Sequence, residues 1–486
     1  MMTRQPYWLI ILLLAPSLTL LVACGSPAQE GNALEVGAPE VAAQTPSAQN
    51  TRGQKSKTSG EDWPTFLGPR RDGSSRETGI LTDWPEEGPK VIWQRPLGTG
   101  YAIGTVSEGK YFQFDRHENQ ARLDVLNAET GELLWQYGYP TDYEDLLGYN
   151  NGPRCSPIVD DGRVYLYGAE GELHCLDVAE QKLLWKRNLN EEFGVVQNFF
   201  GVGSTPVVFE DLLLVMVGGS PAESQDTGRF DLDRVQPSGS CIVALDKKTG
   251  ELKYQMGNDL ASYASMTWAE IEGQPWAFAF ARAGLLAFDP RTGTQQFHFP
   301  WRARVRDSVN ASTPLIVGNE VFISETYGPG AALLKVKPGG YDVVWKDNER
   351  TRDMIMQTHW NTCVEQDGFL YGSSGRHSGN ADLKCVEWKT GEVRWSQPRL
   401  TRASLLLVDD HLVCLSEDGW LRLIKANPEK YEVLAEVQLR QDGTTGRPLL
   451  RYPAWAAPIL SHGLLYVRGD DRLVCLELIP RGKSTD

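Results

Sequence analysis

The side chains from which a metal or nucleophilic centre could be built are few in this chain, and their spacing suits neither. The cysteines are Cys24, Cys155, Cys175, Cys241, Cys363, Cys385, Cys414 and Cys475, no two of them adjacent. Neither Cys-x-x-Cys nor His-Glu-x-x-His occurs, so no metal role is expected. A Gly-x-Ser-x-Gly elbow and a phosphate-binding loop are also missing, which leaves hydrolase and nucleotidase chemistry without an anchor and no catalytic residue to name. What remains is a set of amides, cations and aromatics that precede alternating apolar runs. Asn151, Arg154, Tyr263 and Asn310 lie in such segments, as do Gln197 and Asn198. So do His359, Trp360, Asn361, Arg402, Arg451 and Trp455, while Arg376 and His377 sit in a following loop on a face the sequence leaves open. Gathered on one concave surface, these types suit a polar ligand such as a glycan or an extended peptide.

Only a repeating scaffold could gather them, and one recurs. Residues 127–135 (Asn-Ala-Glu-Thr-Gly-Glu-Leu-Leu-Trp) return as 246–254, 289–297 and 387–395, each with an aromatic five residues after the Thr of a Thr-Gly pair. Residues 177–185 and 337–345 keep the spacing without Thr-Gly. Upstream, Ser156-Pro157, Thr205-Pro206, Thr313-Pro314 and Ala457-Pro458 open apolar alternations, and Pro is tolerated at a strand's first residue. Asp161-Gly162, Asp367-Gly368 and His462-Gly463 then turn into further strands, because a tight hairpin needs positive φ. Each unit reads as a four-stranded antiparallel meander. Closing strands end near Trp135, Trp185, Tyr254, Phe297, Trp345 and Trp395, with a weaker one at 431–439. Val91-Ile92-Trp93 is an eighth, while 464–478 supplies inner strands without a closing aromatic. The expectation is an all-β, eight-bladed β-propeller closed by an N-terminal strand, with seven blades as the alternative. Cys175, Cys385 and Cys475 fall at equivalent places in separate blades, too far apart to meet the roughly 7 Å limit of a disulfide, and the sequence selects no bridge.

These repeats resemble the pyrroloquinoline-quinone-like (PQQ-like) propeller repeat, in which Ala/Leu-x-Asp-x-x-Thr-Gly-x-x-x-Trp ends each blade. The resemblance covers about 61–478. It implies that Trp135, Trp185, Tyr254, Phe297, Trp345 and Trp395 dock onto neighbouring blades. The family spans quinoprotein alcohol dehydrogenases, outer-membrane β-barrel assembly lipoproteins and bacterial propellers of unassigned role. Residues 62–73, 358–362 and 371–377 look like the last group. For a dehydrogenase the resemblance implies a disulfide between adjacent Cys residues above the quinone, a Trp floor, a Ca²⁺ and a catalytic Asp. The adjacent Cys pair is missing here, as is an Asp-rich calcium loop. Neither PQQ nor Ca²⁺ is therefore expected, and the chain reads as a binding or scaffold module for a polar ligand or a protein partner. A quinoprotein-type oxidoreductase acting on an alcohol or sugar is the alternative.

The N-terminus reads as an address. Arg4 precedes an apolar stretch that includes Leu9-Ile10-Ile11-Leu12-Leu13-Leu14, the pattern of a secretory signal. Leu21-Val22-Ala23-Cys24 resembles a bacterial lipobox, which implies acylation of Cys24, and Gly25 implies outer-membrane sorting. Residues 1–23 are thus expected to be a signal peptide, 24–60 a disordered tether, 61–480 the propeller and 481–486 a tail. The protein would be lipid-anchored in the cell envelope, on the periplasmic face of the outer membrane. Its net charge of −15 argues against a nucleic-acid partner, whose phosphates need clustered Lys and Arg.

Overall fold

The computed structural model describes residues 60–227, 231–305, 308–348 and 353–480. The signal segment, Cys24, the tether to residue 59 and the tail 481–486 lie outside the described residues.

Short alternating runs cut by turn dipeptides give strands and almost no helix; the one α-helix among the described residues is Leu189–Phe193, begun by Asn188 and ended by Gly194. Most strands form eight four-stranded antiparallel blades, and a small two-stranded sheet pairs Arg440–Asp442 with Thr445–Pro448. Blade 1 runs from Thr105–Ser107 to Leu133–Pro140, and blade 2 from Ile158–Asp160 to Lys182–Asn188. Blade 3 spans Val207–Phe209 to Leu252–Met256, and blade 4 Thr267–Ile271 to Gln295–Pro300. Blades 5 and 6 begin at Leu315–Val317 and Val364–Gln366, and blade 7 runs from Ala403–Val408 to Val433–Gln438. Blade 8 takes three strands from the end of the chain, Ile459–Ser461, Leu464–Arg468 and Arg472–Glu477, and its outer strand, Val91–Pro96, from the beginning. Trp93 lies opposite Cys475 in that seam. The count is eight, and the ring leaves no end blade open.

Two local devices recur at one end of the ring. Between the first two strands of blade 2, Asp161 and Gly162 have φ of 48° and 71°, which lets the hairpin turn in two residues. Between the last two strands of blade 1, Gly131 (φ 71°) stands so close to Trp93 of blade 8 that a Cβ would lie 2.6 Å from its ring. The same contact pairs Trp185 with Gly250, Tyr254 with Gly293 and Trp345 with Gly391. Indole N–H groups then bond the neighbouring blade's turn carbonyls: Trp185 to Lys247 (3.3 Å), Trp345 to Trp388 (2.7 Å) and Trp395 to Asn427 (2.8 Å). The Tyr254 hydroxyl donates to Pro290 (2.6 Å), Phe297 packs on Tyr341 (4.9 Å), and Trp135 joins Val164 and Leu166 of blade 2 in one cluster. The Thr-Gly of the repeat thus gives the turn its φ and gives the preceding blade's aromatic its room.

No repeat or motif in the sequence indicates the path taken by residues 62–81. Trp63 exchanges two backbone bonds with Val106 of blade 1, and Pro64 accepts from Val159 of blade 2. The Arg71 guanidinium lies 4.3 Å from the Trp268 ring centre in blade 4. Ser74–Ser75 then add to blade 7 in parallel, opposite Leu407 and Val408. Glu77 accepts from the backbone of His462 and Gly463 in blade 8, at 2.7 Å each. The segment crosses the turn end of the ring and stoppers the channel there, with Phe66 and Leu67 facing inward.

Candidate functional site

The stopper makes the channel blind, and what remains is a cavity of about 440 Å³ at the opposite mouth. Arg154, Tyr263, His359, Trp360, Asn361, Arg376, His377 and Trp455 all line it. Arg376 and His377, whose face the sequence left open, thus join the pre-strand residues. Asn151 and Asn310 do not line it, contrary to the sequence expectation. Buried backbone donors and acceptors around them need partners, and these amides serve them. Asn151 accepts from the Asp145 N–H at 2.9 Å, and the buried Asn310 donates to the Ala281 carbonyl at 2.7 Å. Gln197 and Asn198 face a separate cleft of about 40 Å³. Arg451 points to Asp471 (3.2 Å) at the surface.

On one wall the side chains form a continuous train. Tyr452, Trp455 and Trp360 follow one another with ring centres 6.1 and 4.8 Å apart, and His359 lies 5.1 Å beyond. Trp360 donates to the Trp455 carbonyl at 3.1 Å. Arg402 lies over Trp360 at 4.3 Å and is held by Glu417, at 3.1 Å from Nε to each carboxylate oxygen, with Trp455 donating to the same carboxylate at 3.0 Å. Burial opposes ionisation of Glu417, yet hydrogen bonds from Arg402, Ser378 and Trp455 hold its carboxyl below the ordinary range. Arg402 also donates to His359 Nδ1 at 3.1 Å. A guanidinium only donates, so Nδ1 accepts, and the ring proton sits on Nε2, 3.0 Å from the Tyr327 hydroxyl. Burial, followed by the charges of Arg402 and Arg376, pushes His359 down to about 3, so it is a neutral, oriented imidazole.

The other wall is set by Arg154. Asp145, whose side chain is fully buried, holds it at 2.8 Å, and its guanidinium lies 5.5 Å from Tyr101 and 5.6 Å from Phe200. Phe200 packs on Tyr263 at 5.4 Å, and the Tyr263 hydroxyl accepts the Phe200 N–H. Tyr101 meets Trp455 at 4.8 Å and joins the walls. Sequence reasoning missed Tyr101, Phe200, Tyr327 and Glu417. Tyr101 precedes Thr105–Ser107 at the offset at which Arg154, Tyr263, Trp360 and Trp455 precede their own inner strands and was legible there, whereas Tyr327 and Glu417 sit in turns between the second and third strands of blades 5 and 7.

Residues 119–397 match the family model described as outer membrane protein assembly factor BamB, a stretch longer than half of the 486-residue chain. The chain belongs to this family of PQQ-like propellers. No curated protein matches it. Among solved structures, the quinohemoprotein alcohol dehydrogenase of Comamonas testosteroni superposes with a TM-score of 0.60 at 14% identity, over 87% of this chain and 82% of that one. BamB from Moraxella catarrhalis superposes with a TM-score of 0.53 at 12% identity, over 80% of this chain and 99% of that one. At such identities the likeness is one of fold, shared by an enzyme and an assembly factor alike. The residues of this family member do not fit the calcium–quinone pair that the dehydrogenase resemblance implies. Of the carboxylates beside the lining residues, Asp145 and Glu417 are each engaged by an Arg, and Glu325 accepts from the Tyr327 and Gly328 N–H groups. Among the described residues no three His, Cys, Asp or Glu side chains group as metal ligands, and Cys155 to Cys475 are buried free thiols at separate places in the ring.

Proposed function

We propose that this protein is a lipid-tethered module of the cell envelope whose channel mouth binds a polar ligand or an extended segment of a protein partner. One observation carries the reading: pre-strand residues from separate blades converge on one blind cavity, with the cations and the imidazole oriented before any ligand arrives. Holding directional donors beside aromatic faces lowers the ordering cost of binding. The BamB family match supports an envelope setting and a partner, and the lipobox-like Leu21-Val22-Ala23-Cys24 supports a lipid anchor. The competing reading, a quinoprotein-type oxidoreductase, has the shared fold behind it and no fitting donor set.

A photo-crosslinking residue at Tyr452, on the mouth rim, tests the reading in intact cells against the same residue at Gly339, in a turn at the stoppered end. A specific adduct at Tyr452 that disappears with Trp360→Ala is expected. Equal labelling at both positions overturns the assignment of the mouth. Cys24→Ala should release the chain from the membrane fraction or leave its precursor unprocessed. Normal processing with unchanged membrane partitioning excludes the anchor.

A further inference from the structure

We propose that the cavity takes the acidic end of a glycan: a sugar ring bearing a carboxylate, its hydroxyls toward the floor, its face on the aromatic wall and its carboxylate at Arg376. The inference rests on the ligand-binding reading above and names the ligand class.

Charge is the first argument. The chain carries a net −15, yet no Asp or Glu lines the cavity, and its charged lining is Arg154, Arg376 and Arg402. Arg154 and Arg402 are each neutralised by a buried carboxylate. Arg376 makes no ion pair among the described residues: the buried Glu325 carboxyl within its electrostatic reach is engaged by the Tyr327 and Gly328 N–H groups, and the exposed Arg376 guanidinium rests 4.4 Å from the centre of the Tyr327 ring. An exposed guanidinium held over an aromatic face keeps donors free to receive a carboxylate.

The floor is the second argument. Ser156, Thr205, Ser265, Thr362 and Ser404, from five different blades, bring hydroxyls to the cavity around Phe66 and Leu67. Several already link blades: Thr205 accepts from the Ser156 N–H (3.3 Å), and Ser265 from the Thr205 N–H (3.0 Å). The Ser156 hydroxyl is buried and has no partner among the described residues, a condition that a polar ligand or water would relieve. A ring of hydroxyls beneath aromatic walls matches a polyhydroxylated ring with an apolar face.

The third argument separates a glycan from a peptide. Peptide capture by strand addition needs unpaired backbone at an edge. Here the N–H groups of Ser156, Thr205, Thr313 and Ala403 are already taken by side-chain hydroxyls of other blades. Because Phe66 and Leu67 close the far side, the ligand enters by its end and does not thread through.

The test uses the full-length protein on a panel of acidic and neutral oligosaccharides of matched length, with acidic peptides of equal charge alongside. Each retained acidic glycan is then titrated against its carboxyl-reduced form by tryptophan fluorescence. The expected result is retention of uronate-bearing glycans, with carboxyl reduction weakening binding about tenfold. Arg376→Gln should remove that difference and leave the reduced form unaffected, whereas Ser156→Ala should weaken both forms, with thermal melts confirming that both variants fold. Neutral glycans binding as tightly as acidic ones overturn the carboxylate assignment, and capture of the peptides alone overturns the glycan. If no glycan is retained while the Tyr452 crosslink still captures an envelope component, this inference fails and the ligand-binding reading stands. Failure of both experiments removes both.

Discussion

The two ends of the ring are built by opposite rules. At the stoppered end, consecutive strands meet in tight turns such as Asp161-Gly162 and His462-Gly463, and nearly identical contacts recur from blade to blade. At the mouth the connections 141–157, 189–206, 217–241 and 439–458 run long and do not resemble one another. The stoppered end satisfies itself through indole-to-carbonyl bonds and aromatic–glycine contacts. Both ends hold a cation over an aromatic face and leave a few buried polar atoms without partners, Trp63 Nε1 at the stoppered end and the Ser156 hydroxyl at the mouth, but only at the mouth do cations and aromatics converge on a cavity. Stability and recognition are thus placed at opposite ends of one scaffold, the arrangement in which irregular loops can vary without unmaking the core.

The largest effect that would sharpen this contrast comes from removing the stopper and the seam together. Deleting residues 61–96 takes away Trp63, Phe66, Leu67 and the strand that pairs with Arg472–Glu477. Cooperative unfolding should be lost and the protein should aggregate through the opened edge of blade 8. A variant that melts like the full-length chain would show that the stoppered end contributes little.

Glu417→Gln comes next and probes the mouth. The Glu417 side chain is 1% exposed and its partner Arg402 is 11% exposed, so removing the charge leaves a largely buried guanidinium unpaired, at a cost of about 3 kcal/mol. The folded-state carboxyl titrates below its ordinary 4.5. Its stabilisation is therefore fully present above that value and is lost as the pH falls through the depressed folded value. Urea denaturation should show the gap between wild type and variant closing as the pH drops below 4.5. A gap that persists unchanged in acid would mean that the carboxylate charge is not what holds Arg402.

Arg71→Ala should have the smallest effect. It removes one guanidinium from the Trp268 face, worth about 1 kcal/mol in a partly desolvated setting, and leaves the rest of the stopper in place. Ligand capture at the mouth should be unchanged. If capture weakened as much as stability, the two ends would be coupled through the floor residues Phe66 and Leu67, and the separation drawn above would break.

By itself the sequence determined the repeat and hence the ring. Thr-Gly at 130–131, 249–250, 292–293 and 390–391 and the aromatic five residues after each Thr are local chemistry, because positive φ and strand alternation need no distant partner to be recognised. The closing strand at Val91–Pro96 was legible for a related reason: the last blade lacked an outer aromatic strand and the start of the body had one to spare. The pre-strand positions of Arg154, His359, Trp360 and Trp455 were legible once the repeat was aligned, since equivalent places in a ring point to one axis. Tertiary structure alone decided the rest. Asn151 and Asn310 lie in such segments too, but Asn151 is taken by its own loop and Asn310 by a turn of the preceding blade, and no sequence period records which backbone group an amide will serve. The path of residues 62–81 across the ring depends on blades 1, 2, 4, 7 and 8, partners up to several hundred residues away. Tyr327 reaches the cavity, and Glu417 the Arg402 and Trp455 side chains beside it, from the short turns between the second and third strands of blades 5 and 7, which carry no repeated signature, so that their convergence is fixed by packing and not by local pattern.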